Sequence, residues 1–567
     1  MLTFRVLLPA ALLLAVYCAG WHIVTAQAVP DTTEKARKFV AAHEAKLRPL
    51  EIAAGLAWWE ANTTGSEEAY AKKEAAQNKI DATLADANAF KELKAIHEKK
   101  KEIKDATIAR CIDVLYLTYL EKQVDPKLLQ QMVAKANAVE KAFNVFRAKV
   151  DGKEMADSEV RKVLKESKDS ARRQAVWEAA KEVGKVVEAD LKELVKLRNE
   201  AAKQLGFKNF HQMMLTLNEQ NTADLMKLFD ELDALTREPF TAAKAEIDQK
   251  LATNCGVKVE DLRPWHYHDP FFQESPNVFA GSLDAPYAKA DILKLCREFY
   301  QGIGLPIDDV LARSDLYEKK GKSPHAFCTD IDRDGDVRVL ANIVANEYWM
   351  GTMLHELGHA VYSSKNIPST LPYTLRGEAH ILATEGVAMM FERFSKSRRF
   401  LTKMGVNVED QDFDATAAKM LRNQLLIFSR WCQVMLRFEK AMYENPDQDL
   451  NKLWWDLVEK YQQVKRPTGR NSPDYGSKIH VVSAPVYYHN YMMGQLFASQ
   501  VHHTITREVL KEDDPDKAIY VGNKDVGQFM KKRVFEPGKM LPWNELTKYA
   551  TGKELEAKAF AQDFRGK

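Results

Sequence analysis

The stretch KEVGKVVEADLKELVKLRNEAAKQLGF, residues 181–207, carries the pattern that decides the fold class of this 567-residue chain. Its apolar side chains recur every three or four residues, a spacing that places them on one face of an α-helix. The residues that mark this face are Val183, Val187, Leu191, Leu194 and Arg198. Gly206 follows where a helix C-cap is expected. Similar segments rich in Ala, Glu, Lys and Leu extend from about residue 31 to 250, so this part is predicted to form antiparallel helices.

The helical pattern is interrupted in the middle of the chain. Residues 262–286 are rich in aromatic residues and proline and lack a helical period, which predicts a long ordered loop near a cleft. Residues 325–343, HAFCTDIDRDGDVRVLANI, contain two short extended runs around an Asp-Gly turn and predict a β-hairpin. Helical patterning then resumes. We therefore expect a mainly α fold with two helical subdomains around a deep cleft and one small hairpin or sheet.

Composition and charge exclude some classes of function. The chain has 82 basic and 80 acidic residues, a formal net charge of +2, and no recognisable nucleic-acid motif. No nucleic-acid partner is expected, because such partners require a concentrated basic surface. Five cysteines lie beyond the N-terminal segment, without any C-x-x-C pair, so neither a disulfide framework nor a cysteine metal cluster is predicted.

The N-terminal segment has the layout of a secretory signal peptide. Arg5 precedes a long apolar run, and Ala26-x-Ala28 supplies a small-residue cleavage site. We expect a signal peptide over residues 1–28, a secreted or periplasmic protein, and no stable membrane insertion after cleavage. An uncleaved anchor is the alternative, whereas lipidation at Cys18 is disfavoured by the bulky Tyr17 before it. Residues 29–567 are expected to form one domain, with its N-terminal half at about 29–260 and a catalytic half at about 261–567.

The motif directly after the predicted hairpin indicates a metal site. In TMLHELGHAVY, residues 352–362, His355 and His359 are four residues apart and therefore lie on the same face of a helix. Glu356 lies beside them, where it can act as a general base without binding the metal. Zinc accepts imidazole and carboxylate ligands, and a catalytic zinc keeps one coordination position open. We expect one Zn²⁺ per chain and a third ligand downstream.

The third ligand is sought in a second predicted helix, LRGEAHILATEGVAMMFERF, residues 375–394. Glu378, Glu385 and Glu392 recur there every seven residues, on one face. Glu385 is the predicted ligand, because the proline-containing connection allows this helix to cross back alongside the first. Glu378 is the competing candidate, and Glu392 is predicted to support a ligand through a hydrogen bond.

Peptide hydrolysis at such a site also requires hydrogen-bond donors for a developing oxyanion. The segment SKIHVVSAPVYYHNYMMGQ, residues 477–495, is dense in polar aromatic side chains. The candidate donors are His480, Tyr487, Tyr488 and Tyr491. The alternative for each tyrosine is a buried structural side chain with a satisfied hydroxyl.

These motifs together resemble the angiotensin-converting-enzyme-like zinc dipeptidyl carboxypeptidases. The family pattern has a His-Ala strand, an Asp-x-Arg strand and H-E-x-G-H at the same distances as in this chain. The positions that match are His325, Ala326, Asp336, Arg338 and His355 to His359. Lys478-x-His480 and the tyrosine seven residues after His480, Tyr487, resemble a second family motif. The resemblance covers roughly residues 325–395 and 474–500, while the N-terminal half agrees only in its helical character.

The resemblance implies a role for each matching residue. His355, His359 and Glu385 resemble the zinc ligands, and Glu356 resembles the general base. His325 and His480 would contact the substrate backbone, and Ala326 would pair with the peptide by main-chain hydrogen bonds. Lys478 and Tyr487 would hold the C-terminal carboxylate of the substrate. The oxyanion tyrosine is expected near position 490, with Tyr491 and Tyr488 as the candidates.

Several positions depart from the family pattern. The interval from His359 to Glu385 is two residues longer, and Met389 replaces an aspartate. His489 stands where chloride-binding members have arginine, and Pro324 and Asn342 replace two cysteines.

These departures leave three functions open. The expected one is a zinc peptidase that removes C-terminal dipeptides from short peptides. PVYYHNY, residues 485–491, and the spacing of Glu385 and Glu392 also resemble the thimet oligopeptidase and oligoendopeptidase family, so a zinc endo-oligopeptidase is the alternative. A catalytically decayed peptide-binding protein is the third possibility.

Overall fold

The computed structural model describes residues 31–278 and 281–564. The predicted signal peptide and Cys18 lie outside these residues. The α-helices are α1 (Thr32–Thr64), α2 (Glu67–Leu84), α3 (Ala87–Glu98), α4 (Ala106–Leu120), α5 (Pro126–Val145), α6 (Asp157–Glu166), α7 (Ser170–Lys181), α8 (Val183–Gln204), α9 (Phe210–Leu217), α10 (Thr222–Cys255), α11 (Ile292–Gly302), α12 (Asp308–Arg313), α13 (Glu347–Tyr362), α14 (Ile381–Glu392), α15 (Arg398–Lys403), α16 (Phe413–Glu444), α17 (Leu450–Leu457), α18 (Ile479–Ser483), α19 (His489–Ile505), α20 (Lys524–Met530), α21 (Trp543–Thr551) and α22 (Lys558–Gln562). The predicted mainly α fold is confirmed. Among the described helices, none is both long and apolar enough to span a membrane.

Two antiparallel hairpins complete the described secondary structure. Strands β1 (Ala148–Val150) and β2 (Lys153–Met155) form the first, and β3 (Phe327–Asp330) and β4 (Val337–Leu340) form the second, with Phe327 opposite Leu340. The second hairpin is the predicted one. The first was missed, although Asp151 and Gly152 both have positive φ angles, as a two-residue Asp-Gly hairpin turn requires.

The described apolar side chains form one large core and two smaller clusters. The large core includes buried residues from Val139 to Phe564 and therefore joins both expected halves of the chain. Helices α1 to α4 enclose one of the smaller clusters, whose buried residues include Leu47, Leu93 and Ile112. The proposed boundary near residue 260 stays a prediction.

Helix α1 packs over the β3–β4 hairpin, which in turn contacts α13. The ring centroids of Trp58 and Phe327 are 4.2 Å apart. The Arg48 guanidinium donates to Asp334 at 2.9 Å, and the backbone N–H of Ser323 donates to the Asn62 carbonyl at 2.8 Å. The hairpin is consequently held between α1 and the helix that carries the two histidines.

Glycines allow helices α13, α14 and α19 to approach closely. A Cβ atom on Gly358 would lie 2.8 Å from the Ala388 Cα, and one on Gly386 would lie 2.8 Å from the Gly494 carbonyl oxygen. Neither distance is tolerated by a real side chain, so glycine is required at these crossings. The close packing brings the side chains of all three helices to one site.

Candidate metal centre

His355, His359 and Glu385 bring three metal-binding atoms together. The two Nε2 atoms lie 3.2 Å apart, and Glu385 Oε2 lies 3.6 Å from Nε2 of His355 and 4.0 Å from that of His359. Ligands at ~2.0–2.1 Å from a tetrahedral zinc are roughly 3.3 Å apart. Within the described residues, this trio is the group of three or more His, Cys, Asp or Glu side chains that could hold a metal ion.

Both imidazoles are oriented by a second hydrogen bond at Nδ1. Glu392 Oε2 lies 3.0 Å from His355 Nδ1, and Thr384 Oγ1 lies 2.7 Å from His359 Nδ1. A proton on each Nδ1 leaves the Nε2 lone pair free for a metal. The donor set therefore fits a divalent cation in atom type, spacing and orientation.

The electrostatics of the site also fit a cation. Burial raises the pKa of Glu385, and burial raises that of Glu356 to about 7, with His355 opposing the shift and Glu385 adding to it. Burial alone would lower the pKa of His355. The hydrogen bond that its Nδ1–H donates to Glu392, together with the charge of that carboxylate, outweighs burial and raises the pKa to about 9. Closely packed buried carboxylates are stabilised when a positive charge lies between them.

The competing ligand, Glu378, lies outside this trio. It lines a different cavity of about 390 Å³ with Arg110, Asn218 and Lys539. Burial raises the pKa of its carboxyl, while the charge of Lys539 opposes that shift.

The tyrosine-rich segment lies next to the metal donors. Burial raises the pKa of the Tyr487 and Tyr491 phenols, and the charge of the nearby Glu385 carboxylate raises both further. Their ring centroids are 5.3 Å apart. The Tyr488 ring contacts a different residue, because its centroid lies 4.8 Å from that of the His480 ring.

Lys478 is a buried cation in an aromatic cage, only 5% exposed. Its ammonium lies 5.1 Å from the centroid of Tyr488 and 5.3 Å from those of Phe271 and Trp431, and it donates to Gln273 Oε1. Tyr488 lies over the ammonium, whereas Tyr487, which was predicted to bind the same substrate carboxylate as Lys478, lies beside Tyr491. Val486, with a φ of 56°, introduces a left-handed turn just before both tyrosines.

His480 lies beside this cage with an unused polar atom. Its Nδ1 atom is buried and has no hydrogen-bond partner among the described residues. Burial, with a smaller contribution from Lys478, lowers the pKa of His480 to about 4, so the ring is neutral at physiological pH. A neutral imidazole with a free nitrogen can bind a peptide group.

The remaining predicted residues lie at the hairpin and in α19. His325 is exposed and Ala326 is partly exposed, immediately before β3, whose Cys328 N–H interacts with the Glu356 carboxylate. His489 is buried, and its Nε2 lies 2.8 Å from Gln220 Oε1. Burial lowers its pKa well below the usual value, so this position carries no cation.

Sequence reasoning missed Thr384 and Gln273. Thr384 precedes Glu385 and reaches His359 only because α14 crosses α13, so no local pattern marks it. Gln273 lies in the long loop, where Asp269 accepts the backbone N–H groups of Phe271 and Gln273. The aromatic composition of that loop indicated a nearby cleft but not the lysine that it contacts.

A helical fold built around two imidazoles, one carboxylate and an adjacent glutamate is typical of a metallopeptidase. The family model described as "Angiotensin-converting enzyme" matches residues 30–255 and 272–566. The chain therefore belongs to the angiotensin-converting enzyme family of metallopeptidases.

Individual relatives are distant. The chain is 21% identical over 284 residues to "Angiotensin-converting enzyme" of Theromyzon tessulatum, with 47% of this chain and 45% of the relative covered. It is 21% identical over 444 residues to "Angiotensin-converting enzyme-like protein Ace3" of Mus musculus, with 72% and 59% covered. For "Angiotensin-converting enzyme-related protein" of Drosophila melanogaster, identity is 22% over 303 residues, with 49% and 46% covered. The matched segments thus span less than two thirds of these relatives.

Proposed function

We propose that this protein is a zinc peptidase that removes C-terminal dipeptides from short peptides. The observation that carries the proposal is Lys478, a buried ammonium without a carboxylate within ion-pair distance among the described residues. A buried charge is costly unless it is paired. The C-terminal carboxylate of a peptide is the partner that Lys478, Gln273 and the Tyr488 hydroxyl would bind.

Zinc, when bound by His355, His359 and Glu385, supplies a Lewis acid and a water of lowered pKa. Glu356 would accept a proton from the attacking water at its carboxylate. The same carboxyl group would then donate that proton to the nitrogen of the leaving dipeptide.

The other residues would orient the peptide. Tyr491 would donate a hydrogen bond to the developing oxyanion, and His480 would bind the substrate backbone through a ring nitrogen. Ala326, before the edge strand β3, would pair with the peptide main chain, with His325 next to it. Backbone pairing would make the site tolerant of side-chain sequence.

We further propose that residues 1–28 direct export to a secreted or periplasmic location. The N-terminal sequence of the mature protein tests this, since cleavage after Ala28 predicts a mature chain that begins at Val29.

Product analysis on an N-blocked peptide, with and without C-terminal amidation, tests the proposed activity. The free-acid peptide should lose successive C-terminal dipeptides, and amidation should nearly abolish turnover because Lys478 then has no carboxylate to bind. Equal cleavage of both peptides, at internal bonds, would instead show a zinc endo-oligopeptidase. Binding of the peptide and zinc without any hydrolysis would show a catalytically decayed binding protein.

A further inference from the structure

The turn before the tyrosines has a conformation that its sequence does not favour. Val486 is buried and has a φ of 56°, in the left-handed region. A β-branched residue is a genuine outlier there, because its branched side chain crowds the backbone. Such a conformation persists only where the surrounding structure imposes it. Something outside the turn must therefore hold it.

Glu439, on α16, makes that contact. Its Oε1 atom accepts the backbone N–H of Val486 at 3.0 Å, across 47 residues of sequence. Glu439 is only 2% exposed, and burial raises the pKa of its carboxyl to about 8, with the hydrogen bond from the Val486 N–H and the Arg198 charge opposing the shift. A buried carboxyl side chain carries a desolvation cost, and here it serves as an acceptor for one backbone N–H of the unfavourable turn.

The turn lies directly before the segment that carries both tyrosines. Tyr488 lies over Lys478, whereas Tyr491, on the first turn of α19, lies near Glu385. If Val486 returned to an ordinary φ, the backbone would redirect both side chains relative to α14. A displacement of about 1 Å at a catalytic group is enough to reduce a rate greatly.

We propose that Glu439 is a positioning residue, which clamps the left-handed Val486 turn and thereby aims Tyr488 and Tyr491 at the substrate. Glu439 acts only through the turn and touches no reacting atom. The inference rests on the proposed function, because it assigns the tyrosines to substrate and oxyanion binding.

Glu439→Met tests the clamp, since methionine fills a similar volume without an acceptor. We expect kcat for the free-acid peptide to fall about tenfold or more, with zinc content unchanged. Hydrogen–deuterium exchange of residues 484–491 should become faster. Glu439→Gln is the matched control, because its amide oxygen can still accept the N–H, and its kcat should stay within about twofold of wild type. If Glu439→Met does not fold, Glu439→Asp, whose carboxylate is set back, should give the same loss.

Rescue separates a clamp from a general structural role. Glycine adopts positive φ without steric cost, so the double variant Glu439→Met/Val486→Gly should recover most of the lost kcat. Because Val486→Gly also removes a buried side chain and so lowers stability, the assays should be run well below the unfolding temperature of the variant. Wild-type kcat and exchange in Glu439→Met, a failed rescue, or an equal loss in Glu439→Gln would each overturn the inference. A wild-type protein that does not hydrolyse peptides would refute the proposed function instead, while the exchange measurement would still decide the clamp.

Discussion

Oε2 of Glu392 lies 3.0 Å from Nδ1 of His355, while Nε2 of the same ring lies 3.2 Å from Nε2 of His359. One imidazole therefore connects the partly exposed Glu392 carboxylate to the metal donors. Hydrogen-bonded carboxylates of this kind orient a ligating histidine and increase its basicity.

Removing that carboxylate should weaken metal binding. We expect Glu392→Ala to lower zinc affinity by about 10- to 100-fold, the usual effect of losing such a partner. Glu392→Gln should lose less, because its amide oxygen still accepts the Nδ1 proton. Competition with a chromogenic chelator measures both affinities, and equal affinity for wild type and Glu392→Ala would contradict the prediction.

The partner of the other histidine is neutral, so its contribution should be smaller. Thr384 Oγ1 lies 2.7 Å from His359 Nδ1. A net contribution of about 1 kcal/mol for such a hydrogen bond corresponds to a roughly fivefold loss of zinc affinity in Thr384→Val. Thr384→Ser keeps the hydroxyl and should bind zinc like wild type. A larger loss of zinc affinity in Thr384→Val than in Glu392→Ala would show that the predicted ranking of the two hydrogen bonds is wrong.

Glu356→Gln should separate metal binding from catalysis. Glu356 is not one of the three donors, so zinc stoichiometry should not change. Loss of the general base should reduce kcat by roughly 10²- to 10⁴-fold. Glu378→Gln is the control, since Glu378 lies outside the donor trio and should retain its zinc. Metal analysis and peptide assays decide the outcome, and an active Glu356→Gln enzyme would overturn the mechanism.

Lys478→Met should impair only substrates with a free C-terminus. A hydrogen bond to a charged group contributes about 1.5–3 kcal/mol, which corresponds to a loss of kcat/KM of roughly 10- to 150-fold. Lys478→Arg keeps the charge and should retain more activity. Any slow cleavage of the amidated peptide should be unchanged in Lys478→Met; an equal loss on both peptides would indicate general damage to the site.

Gly386→Ala should destabilise the crossing of α14 and α19. Its Cβ would lie 2.7 Å from Phe497 Cδ1 and 2.8 Å from the Gly494 oxygen. Overpacking of this kind costs about 1–3 kcal/mol. At Gly55, in α1, a Cβ would meet its nearest neighbour at an ordinary 3.5 Å. Gly55→Ala should therefore be neutral or slightly stabilising. Thermal unfolding midpoints compare the two variants, and a higher midpoint for Gly386→Ala would refute the packing argument.

Local patterns in the sequence predicted much of this molecule. The 3.6-residue period predicted the mainly α fold, and the Asp-Gly turn predicted the β3–β4 hairpin, because both depend on residues close in the chain. The spacing of His355 and His359 placed both on one helical face for the same reason. The prediction of Glu385 as the third ligand required an assumption about how two helices cross. The structure brings Glu385 to the two histidines.

Contacts between distant segments were decided only by the tertiary structure. The Thr384–His359 contact, and the contact between Gln273 and Lys478, 205 residues apart, arise from helix crossing and loop packing, which no local period encodes. The position of Tyr488 over the Lys478 ammonium depends on the same packing. A positive φ at a valine is a conformation that its own sequence disfavours, and the acceptor that its N–H contacts lies on α16, 47 residues away.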